Sequence, residues 1–129
     1  MKDETHTPPL RWPLFWRLLC AAYLGIIIWV SLRPSAPNLG AAHMDKLAHL
    51  AGYGGLMWCY AQCHARRHWP KIAMALIATG LILEYLQGLG GVRSAEWLDG
   101  LANMLGVALG WFAAKRLKWN VLRIIEAKL

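Results

Sequence analysis

Eight polar residues fall in three short blocks whose types and spacing suit proton transfer or anion binding. The blocks are Asp45-Lys46-x-x-His49, Glu84-x-x-Gln87, and Asp99-x-x-x-Asn103 with Arg93 just ahead of it. Asp45, His49, Glu84 and Asp99 are the acid/base candidates, because half-buried carboxylates and imidazole can be tuned toward neutral pH. Lys46 and Arg93 suit a phosphate or carboxylate, Arg by a bidentate fork and Lys as a point charge. Gln87 and Asn103 would orient a substrate or the ionisable groups. All three blocks interrupt apolar sequence, where an ionisable side chain is costly and usually has a function.

The elements that carry these residues read as membrane helices. The chain is 57% hydrophobic and 16% charged, too little charge for a soluble domain of this size with its large surface fraction. Fourteen Lys and Arg oppose seven acids. Nucleic-acid binding would need those charges on one solvated face; here they fall between apolar runs, as in the cytoplasmic loops of a membrane protein. No nucleic-acid partner is expected. Four runs, 14–32, 47–63, 71–89 and 98–114, each approach the roughly 20 residues that cross a bilayer as a helix. The second and fourth are weak by hydropathy and qualify because a helix satisfies every backbone polar group at membrane depth. The expected fold is all-α, a four-helix transmembrane bundle over 14–114, with a flexible tail at 1–13 and a basic helix or tail at 115–129. A cleaved secretory signal is disfavoured for the first run, which is long, contains Trp and precedes three more.

Lys and Arg set the orientation. Lys2, Arg11, Arg17, Arg66, Arg67, Lys71, Lys115, Arg116, Lys118, Arg123 and Lys128 lie on one side of the four runs. Arg33, Lys46 and Arg93 lie on the other. Both termini are therefore expected in the cytoplasm, with the chain multi-pass in a bacterial cytoplasmic membrane. The second run then begins, the third ends and the fourth begins at the outer face. Glu84 would lie about 8 Å deep at about 1.5 Å per residue. The three polar blocks should share the outer third of the membrane.

Helical spacing gives each block a face: Asp45 with His49, Asp99 with Asn103, and Glu84 with Gln87. Small residues continue those stripes, Gly52 after His49, Gly80 before Glu84, and Gly106 and Gly110 after Asn103. Gly106-x-x-x-Gly110 is a close-approach surface for a neighbouring helix, so three helices should pack beneath a polar pocket while the first completes the bundle from the side. Cys20, Cys59 and Cys63 give no disulfide framework and read as small packing residues between helices, although Cys59, Cys63 and His64 are close enough in sequence to raise a metal.

In this order and at these ends of the runs, the motifs resemble the VanZ-like family of small multi-pass bacterial membrane proteins, named for a teicoplanin-resistance protein. The resemblance spans roughly residues 40–112. It rests on Asp45-Lys46-x-x-His49 with Gly52, on Glu84-x-x-Gln87, and on Arg93 followed by Trp97-Leu98-Asp99 and Asn103-x-x-Gly106. It implies a cytoplasmic-membrane location and a link to the cell envelope or glycopeptide tolerance, without a settled reaction.

The favoured function is an outer-leaflet site that binds a lipid-linked or amphiphilic envelope molecule, with modification of that molecule as a further step. The alternative is a structural or assembly protein whose polar residues hold the helices, a membrane-protein partner or a second copy together. Interhelical hydrogen bonds in membranes average only about 0.6 kcal/mol, so eight such residues are an inefficient source of stability. No cofactor is expected. A divalent metal at Asp45, His49, Glu84 and Asp99 is a lesser option, lacking any dense His/Cys signature. Transport lacks a detectable repeat. A serine hydrolase built on Ser94 lacks a nucleophile elbow.

Overall fold

A computed structural model describes residues 9–33, 42–90, 97–117 and 120–129. Five helices and no strands are found among them: α1 Pro13–Leu32, α2 Ala42–Cys63, α3 Trp69–Leu89 entered through a 3-10 turn at Arg66–His68, α4 Trp97–Arg116, and α5 Val121–Lys128. Pro13 and Pro70 open α1 and α3, where the missing N–H is one the helix would leave unbonded anyway. Among the described residues two stretches are long and apolar enough to cross a membrane, Pro13–Leu32 and Arg66–Leu89. Helices α2 and α4 fall short of that measure because they carry the polar blocks and most of the close-packed glycines.

Contacts fix the register. Cys20 meets Cys63, with the two free thiols 3.6 Å apart, and Tyr23 donates to the Gly52 carbonyl at 3.0 Å. Helices α1 and α2 are therefore antiparallel. On α3, Trp69 packs edge-on to Trp111 of α4, while Leu81 lies against Gly100, so these two are also antiparallel. Helices α2 and α4 run parallel: Lys46 faces Asp99, His49 faces Asn103, and the Gly54 backbone meets Gly106 and Gly110. The α2–α4 approach is close enough that a Cβ on Gly106 would strike the Leu50 carbonyl oxygen and one on Gly110 the Gly54 carbonyl oxygen. Neither atom belongs to a flexible side chain, so only glycine fits. Gly52 faces α1 instead, with Ile27 Cδ1 at 3.1 Å, and Gly80 abuts Asn103 and Tyr53. The core around Leu56, Met57, Leu76 and Val107 fills the middle.

Helix α2 is the inner element and exposes only Met44 and Leu47 among its large apolar residues. Helix α1 exposes Leu14, Phe15, Leu18, Leu19, Ile26, Trp29, Val30 and Leu32. Helices α3 and α4 likewise turn Met74, Ile82, Tyr85, Leu101, Leu105 and Phe112 outward. Helices that are apolar on their outer as well as their inner face are unlike those of a soluble monomer.

At the end of the helices where α1 and α3 begin, α5 folds back. Asn120 caps it by accepting from Arg123 N at 3.3 Å, and Gln62 Oε1 accepts from Val121 N at 2.8 Å. The Glu126 carboxylate, 6% exposed, accepts from Arg11 N at 2.7 Å, Trp12 N at 2.9 Å and Trp16 Nε1 at 2.6 Å. Burial pushes its pKa up, yet those three donors and the Arg11 charge outweigh it and hold the carboxyl below its ordinary value. Because the folded value is lowered, the clamp is fully present above the ordinary carboxyl pKa of about 4.3 and fails as pH drops through the folded one. Amide protection over 120–129, the exchange rate relative to the intrinsic rate at each pH, should therefore hold from neutral pH to the ordinary carboxyl range and fall once Glu126 protonates. Glu126→Gln should lack that protection at every pH.

Candidate functional site

The antiparallel and parallel pairings bring the C-terminal ends of α1 and α3 beside the N-terminal ends of α2 and α4. Asp45, Lys46 and His49 project from the first two turns of α2, and Asp99 and Asn103 from the first two of α4. An acid in the first turn is favoured by the partial positive charge of the helix N-terminus, which is one reason both helices begin where they do.

These five side chains are in contact. His49 Nδ1 and Asn103 Oδ1 are 2.9 Å apart. Lys46 Nζ lies 3.6 Å from Asp99 Oδ1, and His49 Nε2 lies 3.9 Å from both Asp45 Oδ1 and Asp99 Oδ2. A gradient of solvent access runs through the group. The Asp45 side chain is 40% exposed and Lys46 25%, against 12% for His49 and 3% for Asp99. Asn103 is buried against Gly80, where an added Cβ would stand 2.9 Å from its Nδ2. The glycine thus gives the carboxamide room to face the imidazole.

Glu84 and Gln87 are buried on α3 at the same level, since Gly80 pairs with Asn103 and Leu81 with Gly100. Gln87 Nε2 donates to the Ser31 carbonyl, one of the last carbonyls of α1 that the helix cannot bond itself. Gln87 thereby ties α3 to the end of α1 and is held by structure, whatever it does for a ligand. Its Oε1 and Asp99 Oδ1 are buried and accept no hydrogen bond. Arg93 and Ser94 lie outside the described residues.

Three features escaped sequence reasoning. Tyr53, 2% exposed, floors the cluster one turn below His49 and was marked only by its i+4 spacing. Gly54 matters more than Gly52 for the α2–α4 approach; a glycine pair at 54–55 was the available signal. Ser31 enters through its backbone, which no side-chain pattern reveals.

Chemically, the group combines a cation, two carboxylates of unequal burial and an imidazole with a fixed outer partner. Asn103 Oδ1 can only accept, so His49 Nδ1 carries the proton and Nε2 is the atom left for chemistry. Such a set can bind an anion at Lys46 and move a proton at His49 Nε2. Comparison with protein-family models, curated proteins and solved structures gives no match.

Proposed function

We propose that this chain is a VanZ-like integral protein of the bacterial cytoplasmic membrane that binds an anionic, lipid-linked or amphiphilic envelope molecule at the outer ends of its helices. In this reading α1 to α4 all span the bilayer, with both termini in the cytoplasm. The observation that carries it is the meeting of Lys46, His49, Asp99 and Asn103 at one end of helices whose outer faces are apolar. Buried ionisable groups in such a setting usually serve a ligand or a proton path.

Several features support the orientation. Arg11, Arg17, Arg66, Arg67, Lys71, Lys115 and Arg116 belong to the opposite end, which by charge bias is the cytoplasmic one. The α5 helix, with Arg123 and Lys128 beside exposed Ile124, Ile125 and Leu129, suits the interface with an anionic inner leaflet. An open apolar groove between α2 and α4, lined by Leu50, Gly54, Gly55, Trp58, Leu109 and Gly110, is suited to a hydrocarbon chain. Lys46 and Arg93 would hold the head group, while His49 with Asp45, Glu84 or Asp99 would supply acid/base chemistry if the bound molecule is modified. A role in teicoplanin tolerance follows from the family resemblance alone.

A structural role for the same residues is the second reading, favoured by the Gln87 bond to Ser31 and the Lys46–Asp99 pair. The two readings separate on lipids that copurify with the wild type and with Arg93→Ala, with thermal stability measured on the same samples. Loss of a bound amphiphile at unchanged stability supports a site; loss of stability without any bound amphiphile supports a brace.

A further inference from the structure

His49 presents its bare nitrogen to two acids. With Nδ1–H committed to Asn103 Oδ1 at 2.9 Å, a neutral ring has a lone pair at Nε2, and the nearest oxygens, Asp45 Oδ1 and Asp99 Oδ2, stand 3.9 Å away on either side. Three possible donor atoms for a cation thus face one another, and the buried Asp99 carboxylate among them calls for positive charge. Asp99 makes the same demand from its other oxygen, which is buried and accepts no hydrogen bond, with Lys46 Nζ no nearer than 3.6 Å.

We propose that Asp45, His49 and Asp99 form a binding site for a divalent first-row cation, joined by one donor atom each. The three donors lie within 4.8 Å of one another. On one ion with bonds of about 2.1 Å, neighbouring donors stand about 3 Å apart, so small side-chain rotations close the set. Asn103 stands where the outer partner of a metal-bound histidine stands, fixing the tautomer and the ring plane. Two carboxylates with one imidazole favour Mn2+ or Zn2+ over soft ions such as Cu+. Three protein donors leave further coordination positions open, and Lys46, 3.6 Å from Asp99 Oδ1, stands beside them with a positive charge suited to an anion bound at the metal. Glu84, grouped with these residues from sequence, is not one of the three.

The cation site is independent of which amphiphile the protein holds and is tested with metal alone. The full chain in phosphatidylcholine nanodiscs is titrated with Mn2+, and free ion is followed by electron paramagnetic resonance. One saturable Mn2+ per chain is expected. Asp45→Asn and His49→Gln should each weaken it by more than about tenfold, the lower end of what losing even an outer partner costs. Asp45 is 40% exposed, so Asp45→Asn leaves the fold intact and keeps the test valid if His49→Gln does not. No saturable binding in the wild type, which is the outcome if a proton on Nε2 fills the gap, overturns the proposal. Equal affinity in wild type and Asp45→Asn overturns it too, as an adventitious surface ion.

Discussion

Gly106→Val is expected to destabilise the protein by more than about 3 kcal/mol, beyond the usual range for overpacking a core. The first added carbon meets the Leu50 carbonyl oxygen, and Gly54 N lies 3.1 Å from the same point. Both atoms belong to the α2 hydrogen-bond ladder, in which each carbonyl accepts from the residue four ahead. Neither can swing aside as a side chain would. The helices must separate, and that separation also pulls Asn103, one turn earlier on α4, from His49. Gly25→Ala is the control, because a Cβ there meets nothing within 4 Å. Thermal unfolding in detergent, with membrane abundance, reads the difference. A Gly106→Val protein as stable as Gly25→Ala would mean that α2 and α4 do not meet backbone to backbone.

The second large effect concerns the buried charge. Lys46→Ala strands the Asp99 carboxylate, whose side chain is only 3% exposed. Breaking a buried pair costs about 3–5 kcal/mol, and because a quarter of Lys46 reaches solvent a loss nearer about 2 kcal/mol is expected. Adding Asp99→Asn removes the stranded charge, so the double variant should be more stable than the sum of the single losses by at least about 1 kcal/mol. Denaturation of the four proteins closes the cycle. Strict additivity would show that Lys46 and Asp99 do not pair.

Helices α1 and α3 were legible in the sequence because apolar runs of that length have few alternatives, whereas α2 and α4 were legible only from helical spacing of their polar and small residues. Boundaries moved where charge decided them. The run expected at 47–63 starts at Ala42, since hydropathy stops at Asp45 and Lys46 while the helix gains from an acid in its first turn. The convergence of Asp45, His49, Asp99 and Asn103 was readable from i,i+4 spacing, yet which atoms touch was not. Glu84 looked equivalent to Asp45 and Asp99, but only the register of α2 against α4 selects the two that flank His49. The α5 clamp was hidden altogether. Glu126 sits in a basic stretch, and its partners Arg11, Trp12 and Trp16 lie more than a hundred positions away, two of them donating from the backbone. Nothing local in sequence marks such an acceptor.

The most direct test of the central claim is native mass spectrometry of the protein released from membranes. Three forms are compared, each with its thermal midpoint measured: the wild type, Arg93→Ala, and the Lys46→Ala/Asp99→Asn double variant. The wild type should carry an anionic amphiphile that is depleted in Arg93→Ala and absent from the double variant, with the thermal midpoint of Arg93→Ala near that of the wild type. Identical bound lipids in all three, or none in any, would contradict a binding site at the polar end of the helices.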